Sequence, residues 1–128
     1  MHLLFYTPVS EGAGERLQKV IKEFVPKNKV NVEVYRNIEN LSRRLRQPAN
    51  DLPIAVLLAA KREDLSDILS VRDLLCDVRI ILILPDREEN TISLGHTLRP
   101  RFLSYTDSDF ADVFAVLEKC LESYAIKV

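Results

Sequence analysis

A glycine-containing loop near the amino terminus is the first place where the sequence could do chemistry. It carries two hydroxyls and two glycines just before a helical pattern, as Thr7, Ser10, Gly12 and Gly14. Free backbone N–H groups and the helix dipole favour an anion at such a place, so the loop could cradle a phosphate. Glu11 would put a like charge beside it, and no Walker-type Gly-Lys-Ser or Gly-Lys-Thr occurs. The alternative is a turn with two glycines and a serine cap.

Imidazole and thiol groups are too scattered for a catalytic or metal-binding set. His2 stands at the start of the chain, and His96 lies in a weakly apolar helical stretch. Cys76 and Cys120 lie among apolar neighbours, without Cys-X-X-Cys or Cys/His ligand spacing. We expect two buried, reduced thiols, with a disulfide as the alternative, and neither a metal nor a cofactor.

Three arginines on one short helical segment, Arg43, Arg44 and Arg46, form a candidate basic patch for a nucleic acid or an acidic partner. No aromatic residue is interleaved with them. The whole chain has 18 Lys+Arg against 19 Asp+Glu, a net charge of −1. Sequence-independent attraction to nucleic acid is therefore weak, and nucleic-acid binding is not expected.

The length of 128 residues and the hydrophobic content of 47% are typical of one globular domain, assigned to residues 1–128. The chain is too short for a (β/α)₈ barrel, which needs about 250 residues. Three glycines are too few for a turn-rich β-sandwich. The longest apolar runs, 54–60 and 80–85, have strand length rather than membrane-span length. Without a signal-peptide pattern, a cytoplasmic protein is expected.

Five strand-like segments alternate with five helix-like segments. Two strands are continuously apolar, as in strands covered on both faces, whereas the second alternates valines with polar residues and is predicted at a sheet edge. Such alternation indicates right-handed crossovers and a parallel sheet. We predict an α/β fold, a three-layer, doubly wound, five-stranded parallel sheet of flavodoxin-like order 2-1-3-4-5. The predicted strands are 3–7, 30–35, 54–60, 79–84 and 101–105.

Polar residues and prolines set the predicted helix ends. Pro26 should end the first helix, and Asn37 should cap the second, whose outer face would hold the three arginines. The third helix is predicted to run unbroken through Cys76. The other predicted caps are Asp86 for the fourth helix and Ser108 or Asp109 for the fifth.

Ligands of such folds bind outside the carboxyl ends of the strands, where this sequence is poor in reactive groups. The third strand ends in Ala59 and Ala60, and the fourth ends in Pro85. Neither histidine nor cysteine falls at a strand end, so a nucleophile with its base is not expected. The candidate carboxylates at this edge are Glu11, Asp86 and Asp107.

The second half of the chain contains, in order, Asp86-Arg87-Glu88-Glu89, Leu94-Gly95, Phe102-Leu103-Ser104-Tyr105-Thr106 and Phe110-Ala111-Asp112-Val113. A fourth strand thus leads through a glycine-containing helix end to an aromatic-starting fifth strand and a Phe-led last helix. This order, with the length and topology, resembles the receiver domain of bacterial two-component response regulators over nearly the whole chain.

Receivers accept a phosphoryl group on an Asp ending the third strand. An acidic pair ending the first strand holds Mg²⁺, and a Ser or Thr and a Lys end the fourth and fifth strands. None of these occurs at the matching positions, so the resemblance implies a degenerate pseudo-receiver that is neither phosphorylated nor an enzyme. The fifth-strand aromatic is kept, as Phe102. The matching positions are Thr7 and Pro8 for the acidic pair, Ala59 or Ala60 for the phosphoacceptor, Leu84 or Pro85 for the hydroxyl, and Tyr105 for the lysine.

The resemblance further implies a bacterial signalling module that acts by regulatory protein–protein interaction. Receivers commonly dock or pair through the face formed by the fourth helix, fifth strand and fifth helix. Charges of both signs there suit a self-complementary contact, so a homodimer is one expected form, and simple solvated charges are the alternative. The candidate residues are Thr91, His96, Arg99, Arg101, Asp107 and Asp112.

The alternative function is a flavodoxin-like protein that binds phosphate or a nucleotide in the 7–14 loop. That loop loosely resembles the hydroxyl-and-glycine loop of flavodoxins but has fewer hydroxyls. The chain has no Trp to stack on a flavin, although Tyr105 could stack from the fifth strand. The ligand would then be held by Thr7, Ser10, Gly12 and Gly14.

Overall fold

Five parallel strands form one sheet in the computed structural model, which describes residues 2–8, 12–28, 31–47 and 54–126. The strands are β1 (His2–Tyr6), β2 (Asn31–Tyr35), β3 (Ile54–Leu58), β4 (Arg79–Leu84) and β5 (Phe102–Tyr105). Their order is β2-β1-β3-β4-β5, with every pairing parallel. The predicted fold class and strand order are confirmed.

A helix follows each strand, as the right-handed crossovers of a parallel sheet require. The helices are α1 (Ala13–Asn28), α2 (Ile38–Leu45), α3 (Arg62–Ser70), α4 (Glu89–His96) and α5 (Ala111–Ile126), with a 3₁₀ turn at Arg72–Leu75. Asn37 caps α2 as predicted, because its side chain accepts a hydrogen bond from the Asn40 N–H at 2.8 Å.

Two of the predicted helix ends are wrong. α1 continues through Pro26 to Asn28, because a proline in the last turn removes only one backbone donor from a helix that is already ending. α3 ends at Ser70 rather than running on. Val71 leaves the helical conformation (φ −111°, ψ 17°) and starts the 3₁₀ turn.

The break after α3 exposes a cysteine. Both cysteines are free, with Cys76 exposed and Cys120 half-buried, so the prediction of a buried thiol is wrong for Cys76. That prediction carried the period of an α-helix across the break. A 3₁₀ turn has about 3.0 residues per turn, and Cys76 therefore faces outward.

Two apolar cores, one on each face of the sheet, hold the layers together. Alternate residues of β3 belong to each core. Ala55 and Leu57 pack with α2 and α3, whereas Ile54, Val56 and Leu58 pack with α1 and α5. These residues are all at most 1% exposed. β3 is therefore the central, doubly covered strand that its continuous apolar run predicts.

α4 lies close to β4 because it contains Gly95. A Cβ at this position would lie 3.2 Å from Cδ2 of both Leu82 and Leu84. These leucines are fully buried, so they have little room to move away. The glycine brings a short helix with few apolar side chains into direct contact with the sheet.

The edge strand β2 departs from its predicted alternation. Val34 is 41% exposed, while Glu33 is half-buried beneath α2. Arg44 donates to Glu33 Oε1 at 2.7 Å and to Oε2 at 3.2 Å, and the Tyr35 hydroxyl donates to Oε1 at 2.7 Å. Arg44 is only 14% exposed, so its predicted place on the outer face of the helix is wrong. A forked guanidinium–carboxylate pair holds α2 to the sheet edge.

We expect Glu33→Gln to destabilise the protein by about 1–2 kcal/mol at neutral pH, because it breaks charge-assisted hydrogen bonds. The hydrogen bond from Arg44 lowers the pKa of Glu33 against the opposing effect of burial. The stability that the carboxylate contributes is therefore present above its unfolded-state pKa. It is lost as the pH falls through the lower folded-state pKa.

Urea unfolding of Glu33→Gln and wild type, at neutral and at acidic pH, measures this effect. The stability difference should shrink on acidification. Glu39→Gln, an exposed change on α2, is the matched control and should cost little at either pH. A difference for Glu33→Gln that does not change with pH would contradict the ion-pair account.

Candidate functional site

The carboxyl edge of the sheet is where this fold would hold a ligand, and its first loop is only partly described. Ser10 and Glu11 lie outside the described residues. Gly12 has a φ of +60°, which places it in the turn before α1. Gly14 is buried inside α1 rather than in the loop. The prediction of a loop with two glycines is therefore wrong, since the helix begins at Ala13.

β1 ends without a carboxylate. Thr7 is buried, and its N–H donates to the Tyr35 carbonyl at 2.9 Å. Burial, with the nearby carboxylates of Asp64 and Asp67, raises the pKa of Tyr6 to about 12. With Pro8 next in the chain, this strand end presents a neutral phenol, a buried threonine and a proline. These groups do not provide the anionic oxygens that Mg²⁺ prefers.

β3 ends in two alanines whose backbone is already hydrogen-bonded. Ala59 is fully buried, and its N–H donates to the Ile83 carbonyl at 2.9 Å. The N–H groups of Ala60 and Lys61 both donate to Asp64 Oδ2 at 3.0 Å. Asp64 therefore closes the start of α3, and this loop has no side chain that could accept a phosphoryl group.

The loop between β4 and α4 is joined to α3 by Arg62. This side chain contacts Asp86 Oδ2 at 3.3 Å and also pairs with Glu88. Asp86 Oδ1 accepts a hydrogen bond from the Glu88 N–H at 3.0 Å. The prediction that Asp86 caps α4 is wrong, because the helix starts three residues later at Glu89. Asp86 instead closes a turn before the helix.

The loop between β5 and α5 is held by two more arginines. Arg87 pairs with Asp107 at 2.5 Å and lies 4.2 Å from the centroid of the Tyr105 ring. The hydrogen bond between Arg87 and Asp107 lowers the pKa of Asp107 and raises the pKa of Arg87. From α1, Arg16 donates to the Ser108 carbonyl at 2.7 Å and to the Thr106 carbonyl.

Arg16, Arg62 and Arg87 together form an arginine clamp across the carboxyl edge. The carboxylates of Asp86 and Asp107 are engaged by it. Among the residues that the structure describes, no group of three or more His, Cys, Asp or Glu side chains could hold a metal ion. The arrangement joins the loops of this edge to one another through ion pairs and hydrogen bonds.

The clamp was missed at the sequence level. Arg16 lies 92 residues from the Ser108 carbonyl that it contacts, and an arginine in an amphipathic helix gives no sign of such a partner. Only the spacing of Arg87 and Asp107, one in each of two neighbouring edge loops, could have suggested one of these contacts.

The predicted face of α4, β5 and α5 is only partly available. Thr91 is 2% exposed, so it cannot contact a partner, whereas His96, Arg99 and Arg101 are exposed.

The two acidic candidates on that face are already engaged. Asp107 belongs to the clamp, and Asp112 accepts hydrogen bonds from the Ser104 and Ser108 hydroxyls at 3.5 and 3.4 Å. Of the two predicted caps of α5, Asp109 accepts a hydrogen bond from the first helical N–H, that of Ala111, whereas Ser108 accepts one from Phe110, before the helix. Both aspartates are exposed, but their carboxylates already have partners within the chain, which weakens the self-complementary pattern predicted for a homodimer.

Phe102 and Tyr105 have packing contacts in β5. Phe102 is half-buried against the core beneath α1 and α5, and Tyr105 packs against the opposite core. Pro85 is half-buried, and its carbonyl accepts a hydrogen bond from the Thr106 hydroxyl at 3.3 Å.

Comparison with known proteins gives a structural likeness only. No protein-family model matches the chain, and no curated protein matches it. Over the described residues, no helix is long and apolar enough to cross a membrane. A fusion containing amino acids 181–211 of the yeast Spc42 trimeric coiled coil matches with a TM-score of 0.71 and 8% identity, covering 99% of this chain and 82% of that one.

A response regulator from Thermotoga maritima matches with a TM-score of 0.67 and 13% identity, covering 94% of this chain and 97% of that one. Identities this low show the fold alone. The chain has the five-stranded parallel α/β fold of that response regulator.

Proposed function

We propose that the chain is a receiver-like signalling module that acts by protein–protein interaction, is not phosphorylated and is not an enzyme. The observation that carries the proposal is the end of β3. By the receiver resemblance, Ala59 or Ala60 takes the position of the phosphoacceptor Asp, and alanine has no atom that can accept a phosphoryl group. The proposal places the module in bacterial two-component signalling, in the cytoplasm.

The neighbouring strand ends support the same proposal. Thr7 and Pro8 replace the acidic pair that would hold Mg²⁺, and Tyr105 replaces the lysine. The Tyr105 ring lies against Arg87, which is itself paired with Asp107. The guanidinium groups of Arg16, Arg62 and Arg87 thus pair with carboxylates and carbonyls of the chain itself instead of with a bound phosphate.

Exposed side chains beside α4 supply a docking surface for the interaction role. Leu94 is 46% exposed, and His96, Arg99 and Arg101 follow it in the chain as exposed residues. An apolar centre with a charged rim is a common plan for protein interfaces. We propose this surface as the docking face, with a second copy of the chain as one candidate partner.

Intact-mass spectrometry after incubation with acetyl phosphate and Mg²⁺ tests the first part. The expected result is no adduct of about 80 Da, the mass of one phosphoryl group. A receiver domain that keeps the aspartate, treated in parallel, is the positive control. A stable adduct on this chain would overturn the proposal.

Sedimentation of wild type and Leu94→Glu over a range of concentrations tests the docking face with a second copy. A dimer that dissociates in the variant would support that partner. The control is Val34→Glu, an exposed change on the opposite sheet edge. Leu103→Glu would not serve, because Leu103 is packed against a core. A dimer that Leu94→Glu leaves intact would contradict the assigned face.

A further inference from the structure

An open groove runs between α2 and the end of α3, in the same helical layer as α4. Its volume is about 530 Å³, within the range of roughly 300–1,000 Å³ seen for binding pockets. Ile38, half-buried, and Val71, 8% exposed, give it an apolar floor. Ser42 and Ser70 add hydroxyls to its walls.

The rim of this α2–α3 groove is basic. Arg43 and Arg46 both line it, and their spacing of three residues puts them on one side of the helical segment. Both side chains are exposed. Arg44, between them, turns the other way to Glu33. The three arginines of this segment thus have different roles. Arg44 holds α2 to the sheet edge, and Arg43 and Arg46 face the groove.

Arg43 and Arg46 differ from the arginines whose contacts join elements of the fold. Within the part of the chain that the structure describes, neither side chain takes part in an ion pair or hydrogen bond, whereas Arg16, Arg44, Arg62 and Arg87 all do. Among the described residues that line the groove, Glu39 is the one acidic residue. The groove therefore keeps a positive rim above an apolar floor.

We propose that the α2–α3 groove binds an acidic peptide segment of a partner protein, with one apolar side chain on the floor and carboxylates on Arg43 and Arg46. Charge complementarity carries the choice of partner. A nucleic acid fits less well, because none of the described residues that line the groove is aromatic, so bases have nothing to stack on there. This inference rests on the proposed interaction role and adds to it a second surface with a defined partner chemistry.

Panning a random peptide display library against the full chain tests the proposal. The expected result is enrichment of peptides that combine Asp or Glu with a large apolar residue. Binding of these peptides should be weakened about tenfold or more by Arg43→Glu with Arg46→Glu. It should also weaken as salt is raised.

Two variants control this experiment. Lys22→Glu makes the same kind of charge change at an exposed position of α1, on the other face of the sheet, and should leave binding unchanged. Arg43→Lys with Arg46→Lys keeps the charge and should retain most of the binding. Since both arginines are exposed, none of these changes should unfold the protein.

The remaining outcomes separate this proposal from the previous one. Peptides without acidic enrichment, or no enriched peptide, would overturn the α2–α3 groove proposal. Peptides whose binding is lost in Leu94→Glu but kept in the double arginine variant would overturn it while supporting the docking face beside α4. Tighter binding of a single-stranded oligonucleotide, lost in the double variant, would replace the acidic peptide with nucleic acid.

Discussion

Ala59→Asp is expected to destabilise the protein by about 3–5 kcal/mol at neutral pH, because it buries a carboxylate without a counterion. Ala59 is fully buried, in the same apolar core as Tyr6 and Leu57. Asp64, which binds the next N–H along the chain, adds a like charge nearby. Under the proposed function, the variant places an Asp at one of the two candidate phosphoacceptor positions, yet we expect no phosphorylation, because Thr7 and Pro8 supply no carboxylate for Mg²⁺.

The pH dependence identifies the cause. Burial should raise the folded-state pKa of the new carboxyl. The loss of stability should therefore grow as the pH rises from the unfolded-state pKa to this higher folded-state pKa, and it should shrink on acidification. Ala59→Asn has nearly the same shape without a titrating group, so its cost should not follow this pH dependence. Ala60→Asp, at a half-buried position, should cost less than Ala59→Asp. Urea unfolding and intact-mass spectrometry with acetyl phosphate measure both effects, and a phosphorylated Ala59→Asp variant would show that the missing aspartate alone blocks the chemistry.

Phe110→Ala is expected to cost about 3–5 kcal/mol, the usual range for removing a buried aromatic ring. Phe110 is fully buried where α5 begins, and its φ is +65°. A left-handed backbone costs a residue with a Cβ about 1–2 kcal/mol, and glycine avoids that cost. Phe110→Gly should therefore be more stable than Phe110→Ala by up to about 1 kcal/mol.

Val113 supplies the matched comparison. It is fully buried in the first turn of the same helix, where the backbone is helical and glycine is up to about 1 kcal/mol worse than alanine. The order of the two variants should therefore reverse, with Val113→Gly less stable than Val113→Ala. Urea unfolding of the four proteins measures this reversal. If the glycine variant is the less stable one at both positions, Phe110 carries no backbone strain.

The strands were predictable because the burial of their residues follows short runs of apolar or alternating residues in the sequence. The apolar run at 79–84 became β4 with the predicted bounds, and the alternating run ending at Tyr35 became an edge strand. Asn37 caps α2 by a contact with a residue only three positions away. Such features depend on the immediate neighbours of a residue, and those neighbours are visible in the sequence.

The arginine contacts were not predictable, because each depends on residues far apart in the chain. Arg16 contacts carbonyls of the β5–α5 loop. Arg44 pairs with Glu33, whereas Arg43 lines the α2–α3 groove. One periodic pattern places Arg43, Arg44 and Arg46 together on one helix. Only the packing of that helix against β2 separates their roles.

The sheet order has a consequence for how the chain folds. Each of the four strand pairings is parallel, so none can form as a local hairpin, and each must wait for a helix-length connection to close. β1 pairs with both β2 and β3, so the first three strands can assemble before β4 and β5 have joined. Sheets built from such distant pairings fold more slowly than helical bundles of similar size. Until β4 arrives, one side of the apolar strand β3 remains an open edge, available to other chains.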